Sequence, residues 1–138
     1  MTYAELCKMT SEPVVVSPQI TLLCAPAAPQ NVQEARKRYG PHADSLITVF
    51  MNERAAVSIR ENRPAYAVGS IIVKQKQNRG VGGMIKRSAG YDSEHGDWEY
   101  FYFEQPTKVE AGRIASCVNC HAGAAESDYV FGSWRSTH

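Results

Sequence analysis

Asp97-Trp98-Glu99-Tyr100-Phe101-Tyr102-Phe103-Glu104 places aromatic side chains on both faces of one extended segment. Successive side chains of a strand point to opposite sides, so a strand aromatic at Trp98, Tyr100 and Tyr102 and also at Phe101 and Phe103 is expected to be covered on both. Upstream, Ser70 to Gln77 alternates in the same way. Ile72, Lys74 and Lys76 share one face, and Ile71, Val73 and Gln75 share the other. Asn78 to Gly83 reads as a Gly-rich turn into a strand at Met84 to Arg87, and Ser88 to Gly96 reads as a solvated hairpin loop. The pattern is an antiparallel sheet running from Tyr66 onward.

Further out the signals become mixed. Leu46-Ile47-Thr48-Val49-Phe50-Met51 is rich in β-branched and aromatic residues and predicts a strand. Asn52 then caps a helix through Ala55, Ala56 and Ile59 that stops before Pro64. Asn31 caps another, through Glu34, Ala35 and Arg38, ended by Gly40-Pro41. Residues 1–29 read as a short helix, Ala4 to Met9, followed by an irregular arm punctuated by Pro13, Pro18, Pro26 and Pro29. Val14-Val15-Val16 is too short to assign. The fold class expected is α+β and β-rich, an antiparallel sheet packed with a few helices.

At 138 residues the chain is most economically one domain, 1–138, large enough for a core of its own. Lys plus Arg number 15 against 14 for Asp plus Glu, and no basic stripe with interleaved aromatics stands out, so nucleic acid is not an expected partner. The apolar runs are too short to span a bilayer.

Past Gln105-Pro106-Thr107 the chain turns into Cys117-Val118-Asn119-Cys120-His121, the C-x-x-C-H pattern that attaches a c-type haem. Two thiols add across the haem vinyl groups, and the next residue offers an imidazole nitrogen to the iron. On a helix beginning near Gly112 the three side chains fall on one face, at i, i+3 and i+4. Two other readings compete. Half of a zinc site would need two further ligands, with His121 and another histidine the conceivable donors. A thioredoxin-like redox pair normally follows an early strand of a βαβ unit, and this pair lies late in the chain.

A c-type haem is attached outside the cytoplasm. Met1 to Leu6 lacks a basic region followed by an apolar stretch. The expectation is therefore an exported, periplasmic protein read here without its leader. Cys7 and Cys24 suit the same compartment and either close a disulfide that staples the N-terminal arm to the body or remain two buried thiols.

Three segments together resemble the cytochrome P-460 and cytochrome c′-beta family. They are Tyr66-Ala67-Val68-Gly69-Ser70-Ile71-Ile72-Val73-Lys74, the aromatic strand from Gly96 to Phe103, and the haem motif followed by Asp128-Tyr129-Val130-Phe131. The resemblance covers most of the chain from about Asn31. It implies a β-rich fold, commonly a homodimer, with covalent haem c on Cys117 and Cys120 held by a C-terminal helical segment. It also implies His121 as proximal iron ligand and a distal side open to a small diatomic or nitrogen-oxide ligand such as nitric oxide.

The family has two branches. One carries a lysine–haem cross-link and oxidises hydroxylamine; the other lacks the link and binds nitric oxide or carbon monoxide in an apolar pocket. An ungapped match puts the cross-linking position near Asn78, with Lys76 and Lys74 one and two same-face steps earlier. The distal carboxylate of the oxidising members falls close to Gly112, with Glu110 nearby. Distal-pocket candidates are Phe50, Met51, Lys74, Lys76 and Met84. A third reading is a six-coordinate electron carrier with a redox partner protein, whose sixth ligand would be Met51, Met84 or one of His42, His95 and His138. Trp98, Tyr100 and Tyr102 are expected in the core.

Overall fold

The computed structural model describes residues 6–8, 14–15, 46–76, 80–104 and 108–131. Among these, one antiparallel sheet of seven strands dominates. The strands are β1 (Cys7–Lys8), β2 (Val14–Val15), β3 (Leu46–Met51), β4 (Ile71–Lys76), β5 (Val81–Lys86), β6 (Trp98–Glu104) and β7 (Lys108–Gly112). Their order is β1-β3-β4-β5-β6-β7, with β2 also paired to β3. From β3 to β7 each strand pairs with the next described strand in sequence, the arrangement of a meander. One helix interrupts it, α1 (Glu53–Arg60) after β3, and a second, α2 (Ala115–His121), follows β7. A 3₁₀ segment, Ala122–Ser127, continues from α2.

Strands β3, β4 and β6 lie where their composition put them, and so does α1. The Asn52 side-chain oxygen accepts from Ala55 N at 3.1 Å and also from Ile71 N at 3.0 Å, while its amide donates to the Gly69 carbonyl at 2.8 Å. One side chain therefore caps the helix and ties it to the start of β4.

Three local expectations are corrected, and the loop before β6 is a hairpin loop as expected. Cys7–Lys8 is a strand paired with Phe50 and Met51 rather than part of a helix; edge pairing outweighs the local preference. Gly82 and Gly83 lie inside β5, not in a turn. Residues 108–112 form β7, an unexpected strand, so the helix begins at Ala115 and not near Gly112. The loop before β6 is built on itself: the Asp97 carboxylate accepts from Gly90 N at 3.1 Å and Asp92 N at 2.8 Å, and Asp92 pairs with His95 Nδ1 at 3.0 Å. The helix expected over 31–38, the four prolines of the arm and Cys24 lie outside the described residues, as does the side chain of Cys7, while Val14–Val15 of the arm is β2.

Gly83 has a steric reason to be glycine. A Cβ there would drive into the Ile72 carbonyl oxygen and the Phe101 ring. The ring of its cross-strand partner occupies the space instead. Gly83→Ala is expected to lower stability by roughly 1–3 kcal/mol, the cost of an overpacked site, read as a lower denaturant midpoint at unchanged slope.

The register sorts the sheet into two faces. Met51, Ile72, Met84 and Tyr100 form one row across β3 to β6, ending at Gly112. Val49, Lys74, Gly82, Tyr102 and Glu110 form the next row on the same face. These rows, with Trp98, carry most of the fully buried side chains, and Cys117 and Val118 of α2 join their cluster. The opposite face carries Phe50, Val73, Gly83, Phe101 and Ala111 in one row, and Gln75, Val81, Phe103 and Val109 in the next. Phe103 and Val109 are exposed there.

Candidate functional site

Helix α2 brings Cys117, Cys120 and His121 together. It starts after Ile114, whose carbonyl accepts from Cys117 N and Val118 N, both at 2.9 Å. Cys117 and His121 are buried, and Cys120 is half-buried. The His121 ring lies between Tyr100, with centroids 5.0 Å apart, and Phe131 at 5.4 Å. Its Nδ1 donates to the Tyr129 carbonyl at 2.6 Å. That bond assigns the proton to Nδ1 and leaves the Nε2 lone pair free to bind a metal. Burial, helped by the positive charge of Lys74, holds the imidazole protonation at about 3 against the pull of the Tyr129 carbonyl. At neutral pH the ring is therefore an uncharged donor.

The carbonyl that meets His121 comes from an unusual turn. Asp128 and Tyr129 both have left-handed backbones, φ 53° and 64°. A non-glycine residue in that region costs about 1–2 kcal/mol, so something must hold each in place. The Asp128 carboxylate takes both oxygens to Lys86 Nζ, at 2.7 and 2.8 Å, and accepts from Tyr66 N at 2.7 Å. Its carbonyl accepts from Trp98 Nε1 at 2.8 Å. Tyr129 N donates to the Ala124 carbonyl at 2.8 Å, and the Tyr129 hydroxyl donates to the Glu94 carbonyl at 2.9 Å. Lys86 also lies over the Trp98 ring, 5.1 Å from its centroid. None of these supporting roles was expected from sequence; Asp128 and Tyr129 entered there only as part of a resembling segment.

Lys74 is buried in the middle of the sheet, which is not the setting of an edge or solvated lysine. Burial lowers its pKa, and the charges of Cys120 and then Cys117 oppose the shift. It therefore sits close enough to both cysteines to couple with them. Burial in turn raises the Cys117 thiol to about 11, with Lys74 lowering it and Glu110 raising it. Cys120 is raised by burial and lowered by Lys74. Gly82 adds no side chain between Lys74 and Tyr102, and Glu110 follows on the same face.

Of the pocket candidates, Met51, Lys74 and Met84 share the face that meets α2. Lys76 has the same parity, and its side chain lies outside the described set. Phe50 belongs to the opposite face. Adjacent strand residues cannot both line one pocket wall, so Met51 and Phe50 part company there. His95 is engaged with Asp92; His42 and His138 lie outside the described residues. Among the described residues no group of three or more His, Cys, Asp or Glu side chains is placed to hold a metal ion directly, so the zinc alternative finds no ligand set there.

A C-x-x-C-H helix seated on an antiparallel meander separates this chain from the helical cytochromes and defines a β-rich, haem-binding cytochrome. The family profile described as Cytochrome P460 matches residues 28–132, which is most of the chain. The protein belongs to that cytochrome family. No curated protein sequence matched it. The residues present fit a haem. Two thiols and a neutral imidazole with a free Nε2 come from one helix, and the buried hydroxyl of Tyr100, whose ring packs on His121, has no partner among the described residues. Among those residues, no helix is long and apolar enough to cross a membrane.

Proposed function

We propose that the protein is a periplasmic mono-haem c-type cytochrome that binds nitric oxide or a similar small ligand at an iron open on its distal side. Cys117 and Cys120 hold the haem by thioether bonds, and His121 binds the iron through Nε2. The observation that carries the reading is the 2.6 Å bond from His121 Nδ1 to the Tyr129 carbonyl, which leaves only the other ring nitrogen for the metal. The haem supplies an iron that takes up the ligand. The apolar row of Met51, Ile72 and Met84 beside the helix excludes water and favours a neutral diatomic molecule over an ion.

A second reading, an enzyme oxidising hydroxylamine, is favoured by one observation. Lys74 is buried in the middle of the sheet on the face that meets helix α2, with Glu110 in the same row. Burial that lowers the lysine pKa raises its share of neutral amine, the nucleophilic form that a cross-link would require. Glu110 is then the proton acceptor. The other sheet face, with Phe101, Phe103 and Val109, suits a homodimer contact.

Absorption spectra of the holoprotein test these readings. The gas-binding reading expects a high-spin reduced form with an ordinary Soret band that shifts when carbon monoxide is added. A strongly red-shifted reduced Soret band moves the assignment to the cross-linked enzyme. A low-spin reduced spectrum indifferent to carbon monoxide leaves the electron-carrier reading.

A further inference from the structure

The buried Lys86–Asp128 pair lies outside the chemistry assigned so far. Its two side chains are about nine-tenths buried, and they bond through both carboxylate oxygens. Such a pair gives little net stability, so its position in the fold asks for another account. Asp128 is gripped at its carboxylate by Lys86 and Tyr66, at its carbonyl by Trp98 and at its own N–H by the Ala125 carbonyl at 3.1 Å. The next peptide carries the Tyr129 carbonyl, which meets His121 Nδ1. Gly96, at φ +72°, completes the arrangement. A Cβ there would stand 2.6 Å from the Tyr129 ring and 3.1 Å from an Asp128 carboxylate oxygen.

We propose that Lys86 and Asp128 are positioning residues for the iron ligand, fixing the left-handed pair Asp128–Tyr129 so that its carbonyl holds a short hydrogen bond to His121 Nδ1. A tightly held acceptor at Nδ1 makes the imidazole a stronger donor through Nε2. It thereby favours ferric over ferrous iron and stiffens the iron–histidine bond. The pair achieves this through the backbone, touching neither the iron nor the porphyrin. The proposal rests on His121 being the iron ligand.

The test compares Asp128→Asn, Lys86→Met and Gly96→Ala holoproteins with the parent, all well below their unfolding temperatures. Two readouts are taken, the iron–histidine stretching band in resonance Raman spectra and the reduction potential. Loosening the carbonyl lowers the stretching frequency in all three. It shifts the ferric-to-ferrous preference towards ferrous up to about tenfold, which is 59 mV for a one-electron couple. A through-space charge effect behaves differently. Asp128→Asn leaves a positive charge and raises the potential, whereas Lys86→Met leaves a carboxylate and lowers it or, once protonated, leaves it unchanged. Gly96→Ala changes no charge and reports on geometry if either charge variant fails to fold.

A common upward shift with a lowered frequency supports the proposal. Opposite potential shifts with an unchanged band overturn it, as does reduced stability with both readouts at parental values. An iron–histidine band missing from a parent whose reduced form is high-spin would instead reject His121 as ligand, which separates the two failures.

Discussion

Replacing Cys117 and Cys120 together by serine is expected to yield a protein from which acidified acetone removes all haem, while the parent keeps one haem through denaturation. The expectation follows from the thiol chemistry of helix α2. Each thioether forms when a thiol adds its sulfur and its hydrogen across a vinyl group, so a hydroxyl at the same place forms no equivalent bond. Burial keeps the Cys117 thiol protonated at neutral pH, its pKa raised to about 11. The site therefore presents thiols and not thiolates before attachment. The single substitution Cys117→Ser should leave haem bound through Cys120 alone, with one vinyl group unreacted in the pyridine haemochrome spectrum. Intact-protein mass after extraction reads the parent and both variants. Haem surviving extraction in the double variant would point to a bond from a third residue, and Lys74 would be the first to substitute.

Lys86→Met is expected to cost about 3–5 kcal/mol of folding stability, the usual penalty for leaving one partner of a buried ion pair unpaired. Asp128 would retain Tyr66 N as its remaining donor and lose both bonds to the ammonium. Against a total stability of about 5–15 kcal/mol the loss is large. The double variant Lys86→Met/Asp128→Asn should recover most of it. The neutral amide still accepts from Tyr66 N, and no charge is left without a partner. Denaturant melts of the two single variants and the double variant close the cycle. If Lys86→Met alone unfolds at the parental midpoint, the pair is not an energetic unit and solvent reaches it more freely than its burial indicates.

The parts legible in sequence were those with short-range causes. The β4 and β6 strands advertise themselves through period-two alternation and aromatic density, and α1 through Asn52. Cys117, Cys120 and His121 are likewise a local pattern, because helical spacing alone puts them on one face. What was missed depends on partners elsewhere. Lys108-Val109-Glu110-Ala111-Gly112 has little strand propensity of its own and becomes β7 through pairing with β6. Gly82-Gly83 looked like a turn because a glycine required by a neighbouring ring is indistinguishable in sequence from one required by a tight bend. A backbone or carboxylate acceptor for the second ring nitrogen of His121 follows from the chemistry of a metal-binding imidazole. Which carbonyl supplies it, that of Tyr129, no side-chain pattern can reveal. Lys86 and Tyr66 meet Asp128 from 42 and 62 residues away. The resemblance points to the strand of Phe50 and Met51 for the distal side, and the pleat turns only one of the two towards α2.

Those two long separations also bear on the order in which the molecule assembles. The hairpins from β3 to β7 close between sequence neighbours, and the entropy lost in forming each is modest. The segment carrying the cysteines is instead anchored across long loops, chiefly through one aspartate. Docking of that tail is expected to come after the sheet nucleates, so weakening Asp128 should hasten unfolding and leave the refolding rate nearly unchanged. With the proposed covalent attachment, a late-docking segment would keep Cys117 and Cys120 accessible to the maturation machinery while the rest of the chain is already folded. Covalent loading and final packing would then be successive events, each able to proceed without undoing the other.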